Sequence, residues 1–319
     1  MHAAATQRQQ DVQVFAGLPK TLRLMACASL SGIGASLFTH PMDQMKSIMQ
    51  LNGELVKKGG AAVYSSWSHC FSTTLRNGGL GALYRGISMT TSREAVMNSF
   101  RIGLYDPVLE FMNGGPLTAP PSPLLGMAAG AGTAAMGSFL VNPLEICKVR
   151  LQVAGSGVGH QHQYKGGLDA LASLVRNEGI TGAWKGVNTS VVRLMMGSSV
   201  QLPVYAWLKK TLSEDCGMDS RSVVTHASCA FLSSIPSILV VNPLDVVRTR
   251  IYNQPFDAEG RGLLYRNGVH AAWKIFTVEG PGAFYKGAVV HFGRLAPHLT
   301  LIFVMNESLK KVLVPEASQ

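Results

Sequence analysis

The stretch "NPLDVVRTR" (242–250) sets a proline, an acid and two bases directly after an apolar run, and "NPLEICKVR" (142–150) repeats the pattern. A looser copy, "HPMDQMKSI", stands at 40–48. Pro41, Pro143 and Pro243 therefore mark a period of about 100 residues, which identifies a repeat architecture. A second set of segments falls into register on that period: "YSSWSHCFSTTLRNGGLGALYRG" (64–86), "YKGGLDALASLVRNEGITGAWKG" (164–186) and "YRNGVHAAWKIFTVEGPGAFYKG" (265–287). Each begins with Tyr and ends with an aromatic residue, a base and glycine. Apolar residues between these points recur at helical spacing, as at Leu168, Leu171, Leu174 and Val175, which predicts a short amphipathic helix at an interface. Gly79, Gly179 and Gly280 supply the stop.

Of 319 residues only 14% are charged and 47% are hydrophobic, a balance that favours a membrane protein over two soluble domains. Phe111–Leu144 and Ser222–Leu244 contain no charged residue, and a shorter uncharged run covers Leu24–Thr39. A spanning helix needs roughly 20 apolar residues, so the second and third runs qualify and the first is marginal. Their abundant Gly, Ala and Ser allow close helix contact in lipid. A further helical stretch ends each unit, at about 88–112, 188–212 and 289–313, interrupted by Arg93, Arg193 and Arg294. Intramembrane arginines face a wet cavity or a partner.

The chain thus reads as an all-α membrane protein. Six transmembrane helices form three parallel repeats, 22–115, 123–215 and 222–314, after a short tail of 1–21. Two spans per unit start every unit on the same side and put both termini on that side. The loops inside the units carry five, five and six Lys+Arg (46–92, 148–192, 248–293), which places them on the negatively polarised side of the membrane. The net charge of +10 fits an anionic solute or anionic lipid, while no zinc-ligand spacing or basic-aromatic strip supports nucleic acid. Cys27, Cys70, Cys147, Cys216 and Cys229 lack any CxxC pair and read as reduced packing residues. His160 and His162 read as a solvated loop pair and not as a metal site. The N-terminal tail lacks the apolar core of a secretory signal.

These motifs resemble the mitochondrial carrier family: three repeats, a proline–acid–base signature ending each odd helix, and an acid–Gly element followed by aromatic–base–Gly. Unit two has Pro143, Glu145, Lys148 and Arg150, then Glu178, Gly179, Trp184, Lys185 and Gly186; unit three has Pro243, Asp245, Arg248 and Arg250, then Glu279, Gly280, Tyr285, Lys286 and Gly287. Unit one departs from the pattern with Ile48 and Gly78. The resemblance implies a pseudo-threefold bundle in the mitochondrial inner membrane, with kinks at the three prolines, termini in the intermembrane space and three short matrix helices. It also implies a monomer with no cofactor or metal, and cardiolipin held at the short-helix ends by Gly79, Gly179 and Gly280.

Parallel repeats about an axis bring Asp43 with Lys46, Glu145 with Lys148 and Asp245 with Arg248 together, and each acid can reach a neighbouring unit's base. Buried ion pairs give little net stability, so a ring of three suits a switch better than glue. This expected matrix gate would be braced by Gln50 and Gln152, which are placed like the family's bracing glutamines, with Tyr252 at the third position. The cytoplasmic gate is less regular. Tyr105–Asp106 faces Leu109 in its motif, Tyr205–Ala206 faces Lys209, and Asn306–Glu307 faces Lys310, so it should favour opening.

Arg93, Arg193 and Arg294 each lie twelve residues before the gate position, at the level the family uses for substrate. With Glu94 the sole acid beside them, they are expected to form an anion trap. Arg101 and Gln201, eight residues on, and His298, one turn from Arg294, are expected to join them. Arg193 in place of a small apolar contact counts against nucleotides. "TRIYNQPFDAEGRGLLYRNG" (249–268) and "GSSVQL" (197–202) are further similar to the oxaloacetate/sulfate carrier branch. The expectation is a carrier exchanging small organic or inorganic anions such as oxaloacetate, dicarboxylates and sulfate. The alternatives are an uncoupling-type proton or fatty-acid-anion leak, or a non-transporting receptor or scaffold. No nucleophile–base set or phosphate-binding glycine loop supports an enzyme.

Overall fold

The computed structural model describes residues 19–56, 62–115, 122–214, 223–257 and 261–314; Cys216 and the tail up to residue 18 lie outside them. Unit one contains α1 (Lys20–Leu51), α2 (Trp67–Ala82), α3 (Ile87–Gly103) and α4 (Tyr105–Asn113). Unit two contains α5 (Pro123–Val153), α6 (Gly167–Gly182) and α7 (Val187–Glu214). Unit three contains α8 (Val223–Asn253), α9 (Gly268–Glu279), a 3-10 turn (Pro281–Tyr285) and α10 (Ala288–Leu313). Among the described residues the extended pairing is a single bridge between Phe256 and Gly262.

The three signature prolines sit inside α1, α5 and α8, which run through them as single helices. A break in the helix falls in unit one. Where one helix was expected over 88–112, the structure has α3 and α4 separated at Leu104. Gly103 weakens the helix on one side of the break, and on the other Pro107 removes a donor and crowds the carbonyl of Gly103. Two of the short helices start on side-chain caps: Ser66 Oγ accepts from the His69 amide, and Asn267 Oδ1 accepts from the His270 amide at 2.8 Å. Gly79 and Gly179 kink α2 and α6 near their ends and Gly280 ends α9; their φ of 64°, 73° and 86° is the left-handed region where a Cβ is strained.

The long helices close into a ring. Helix α1 packs on α3 and α10, α5 on α3 and α7, and α8 on α7 and α10. Arg23 Nη1 donates to the Leu313 carbonyl at 3.5 Å, across the seam between the first and last helices. Polar and charged side chains share the interior with the apolar packing, and large apolar ones face outward. Arg150, Arg250, Gln44 and Asp43 are buried, while Phe38, Phe139, Leu140, Leu239 and Val304 are exposed on the outer faces. Such a surface requires lipid.

By length and composition, Lys20–Leu51, Phe231–Asn253 and Pro281–Leu313 can each cross a membrane. The first was expected to be marginal and the last weak. Both qualify because their charges lie towards the two ends and leave an apolar window between them. One end of the ring carries α2, α6 and α9 and is here called the helix-capped end; the other carries the connections between units.

Candidate functional site

A cavity of about 340 Å3 lies inside the ring, bounded by α1, α3, α5, α7, α8 and α10. Its floor, towards the helix-capped end, is made by the signature charges. Lys46 Nζ lies 2.6 Å from Asp245 Oδ2, Lys148 Nζ 2.5 Å from Asp43 Oδ2, and Arg248 Nη2 2.7 Å from Glu145 Oε2. Every pair crosses between units. The base of each unit reaches the acid of the unit before it, and unit one reaches back to unit three.

The arginines one level above do not stand clear of acids. Arg93 bonds Glu145 and Glu94, Arg193 bonds Asp245, and Arg294 Nη1 lies 3.5 Å from Asp43 Oδ1. This corrects the expected trap in which Glu94 was the sole neighbouring acid. A desolvated guanidinium left unpaired is costly, and the flexible side chains fold down onto the nearest carboxylates. Each ring acid thus serves two bases, one from the ring and one from the arginine level. Glu94 also accepts from Asn98 Nδ2 at 3.4 Å.

The other expected residues divide. Arg101 and His298 line this cavity, with His298 Nδ1 2.9 Å from Thr39 Oγ1. Gln201 does not line it. It lines a side cavity of about 190 Å3 between α7, α8 and α10, which Arg193 also borders.

The two glutamines also differ. Gln152 Nε2 donates to Asp43 Oδ2 at 3.2 Å and its Oε1 accepts from Ser47 at 2.7 Å, so it braces one ring pair. Gln50 Oε1 instead accepts from Thr249 at 2.7 Å, touching no ring charge, while its Nε2 has no partner. The third position holds Tyr252, whose ring lies 5.0 Å from the Arg248 guanidinium.

At the opposite end the expected pairs are not assembled. Glu307 pairs with Lys311 on its own helix at 3.2 Å, and both are well exposed. Among the described residues Asp106, Lys209 and Lys310 make no ion pair between units.

Below the ring, Arg150 Nη1 lies 2.5 Å from Glu178, which also takes Lys185 at 3.2 Å. In unit three Arg250 bonds Glu279, which takes Lys286 at 2.7 Å. Burial alone would raise the Glu279 carboxyl, but the Arg250 and Lys286 bonds outweigh it and hold the group below its usual range. His162, expected in a solvated loop, is partly buried. Its Nε2 lies 3.0 Å from the Asn253 carbonyl and its Nδ1 3.2 Å from Tyr164 Oη. Burial, with Arg150 nearby, pushes its pKa down to about 3. Cys27, Cys70, Cys147 and Cys229 are buried and free.

Sequence reasoning missed His291. It is 5% exposed, lies three residues before Arg294, and its Nδ1 is 3.6 Å from Asp245 Oδ2. Laying the chain on the arginine period would have found it opposite Thr90 and Ser190.

A closed ring of membrane helices around a charged central cavity, shut at one end, defines a solute carrier. The chain belongs to the family described as "Mitochondrial carrier protein", which it matches over residues 18–115, 119–215 and 219–317. It is 34% identical over 291 residues to "Solute carrier family 25 member 35" of Homo sapiens, covering 89% of this chain and 96% of that protein. It is 31% identical over 294 residues to the "Mitochondrial 2-oxoglutarate/malate carrier protein" of Bos taurus, covering 92% and 91%. A third relative, "Mitochondrial substrate carrier family protein ucpB" of Dictyostelium discoideum, is 29% identical over 286 residues, covering 89% and 93%. Members of the family are multi-pass transporters of small solutes in the mitochondrial inner membrane.

Proposed function

We propose that the protein exchanges small dicarboxylates, oxaloacetate and malate among them, and in addition sulfate, by alternating access through the central cavity. The observation that supports this most directly is the double occupancy of the ring acids. The cavity wall carries seven Lys+Arg against four Asp+Glu, so an entering dianion meets surplus positive charge. Its carboxylates compete with Asp43, Glu145 and Asp245 for Arg294, Arg93 and Arg193, whose planar forks suit carboxylate and sulfate. Taking those arginines strips each ring acid of one of its two bases and loosens the floor. Binding is thereby converted into opening.

The ring then acts as the matrix gate, and the unassembled charges Asp106, Lys209, Glu307 and Lys310 belong to the cytoplasmic gate in its open state. The termini face the intermembrane space and one chain suffices, since one chain builds the whole cavity. A basic recess of about 730 Å3 between units two and three, lined by Lys185, Arg261 and Arg266, suits an anionic lipid headgroup at the short-helix end.

The test is uptake into proteoliposomes of labelled malate, oxaloacetate, sulfate, aspartate and ATP against internal malate. Dicarboxylates and sulfate should exchange, ATP should not, and Arg193→Ala should abolish exchange while the protein still inserts. Near-normal uptake of every anion by Arg193→Ala would sink the proposal.

A further inference from the structure

The pseudo-threefold level just below the arginines is occupied by Thr90, Ser190 and His291, all buried. Two of the three are satisfied within the scaffold. Thr90 donates to the Gly86 carbonyl at 3.2 Å, and Ser190 bonds Tyr252 Oη at 2.7 Å. His291 breaks the symmetry: its Nδ1 is buried without a hydrogen-bond partner. It also borders the side cavity of about 190 Å3, where Ser234, Ser237 and Gln201 supply polar walls.

The charges facing this imidazole come from every helix packed around it. Helix α8 presents Asp245, α1 presents Lys46, α7 presents Arg193, and its own helix presents Arg294. With the ring closed, three cations stand against one carboxylate that Lys46 and Arg193 already hold. The unit boundaries matter next. Asp245 and His291 both belong to unit three, whereas Lys46 belongs to unit one and Arg193 to unit two. When the units part, Asp245 loses both of its bases together, and Arg294, whose contact with Asp43 also crosses a boundary, is released with it. Beside this carboxylate unit three then holds Arg294, which is already charged, and the His291 imidazole, which is the group there able to take up a proton. Asp43 and Glu145 have only a hydroxyl at the equivalent place.

We propose that His291 is a proton-binding site that charges as the ring opens, so that opening towards the helix-capped end takes up a proton and transport is linked to pH. The proton adds to the free imidazole nitrogen as the carboxylate loses its ammonium and guanidinium partners, and it leaves when they return. The proposal rests on the ring acting as a gate. By linkage, whatever favours the protonated state favours opening to the same extent.

Two readouts test it. In proteoliposomes, exchange of labelled malate should accelerate severalfold as the pH falls from 8 to 6, through the ordinary imidazole range near about 6.5. His291→Ser, which copies the equivalent residue of unit two, and His291→Gln should both flatten this profile. The second readout does not need transport: a cysteine placed at Ser47 is labelled by a membrane-impermeant thiol reagent added at the helix-capped side. The labelling ratio of the His291 protein to its His291→Ser version should exceed one at pH 6 and approach one at pH 8; the ratio cancels the thiol's own ionisation. A pH-dependent labelling ratio without exchange of any anion would keep the proton site and overturn the anion-exchange function. A profile that His291→Ser leaves unchanged, or a labelling ratio that does not vary with pH, would overturn the proton site.

Discussion

In units two and three a buried arginine, Arg150 or Arg250, ties the end of the first long helix to a glutamate at the end of the short helix, whereas unit one puts Ile48 and Gly78 at those places. Ile48 is fully buried against Met45, Leu51, Tyr64, Cys70 and Leu83. The same junction is therefore built once from apolar packing and twice from charge. What all three units share is a clamp from the residue before the signature proline. His40 Nε2 sits 3.0 Å from the Arg85 carbonyl, Asn142 Nδ2 donates to the Ala183 carbonyl at 2.8 Å, and Asn242 Nδ2 to the Phe284 carbonyl at 2.7 Å. The fold requires that clamp, while ion pair and hydrophobic plug are alternative fillings, as expected when desolvation offsets Coulomb attraction.

The comparison can be broken most forcefully by taking one partner from a charged junction. Arg250→Ala leaves Glu279 buried with Lys286 as its remaining base and should cost about 3–5 kcal/mol, read as a fall in thermal midpoint of the purified protein. A smaller effect is expected from converting unit two to the chemistry of unit one. Arg150→Ile together with Glu178→Gly should be less damaging than Arg150→Ile alone, with a coupling of about 1–3 kcal/mol between the two sites. A double variant as unstable as the sum of its parts would show that the junctions are not interchangeable. The reverse graft needs three changes, because a Cβ at Gly78 would collide with Ala82, whereas Glu178 faces Gly182.

The smallest effect concerns the unit-two loop that carries His162. His162 is held neutral when folded, so its contribution is complete above the free imidazole value of about 6.5 and is lost as pH falls towards about 3. The thermal midpoint should drop on acidification from pH 7 to pH 5, and His162→Gln should make that drop shallower.

Much of this was legible because a period of about 100 residues converts three weak motifs into one strong constraint. Once the repeats are parallel, Lys148 must lie level with Asp43 and Arg248 with Glu145. What the period could not convey is where long side chains turn. Arg93, Arg193 and Arg294 read as free donors because their positions are visible in sequence and the path of four torsions is not. Gln201 was lost because α7 packs it against the side cavity shared with α8 and α10, which no spacing within one helix conveys, and the α3–α4 break to the pairing of Gly103 with Pro107. His162 was misread because its partners, Tyr164 and the Asn253 carbonyl, come together only when unit two meets unit three.

The contact of Arg23 with the Leu313 carbonyl means that the seam between the last helix and the first is one more junction between units. Each unit is a helical hairpin that meets its neighbours on both sides, and the ring of charges runs through all three without a starting point. Chain order is then a matter of where the circle was cut. Joining the two ends and cutting between units one and two would yield a polypeptide that begins with unit two, carries the same cavity, and still pairs Lys148 with Asp43, now between its first unit and its last.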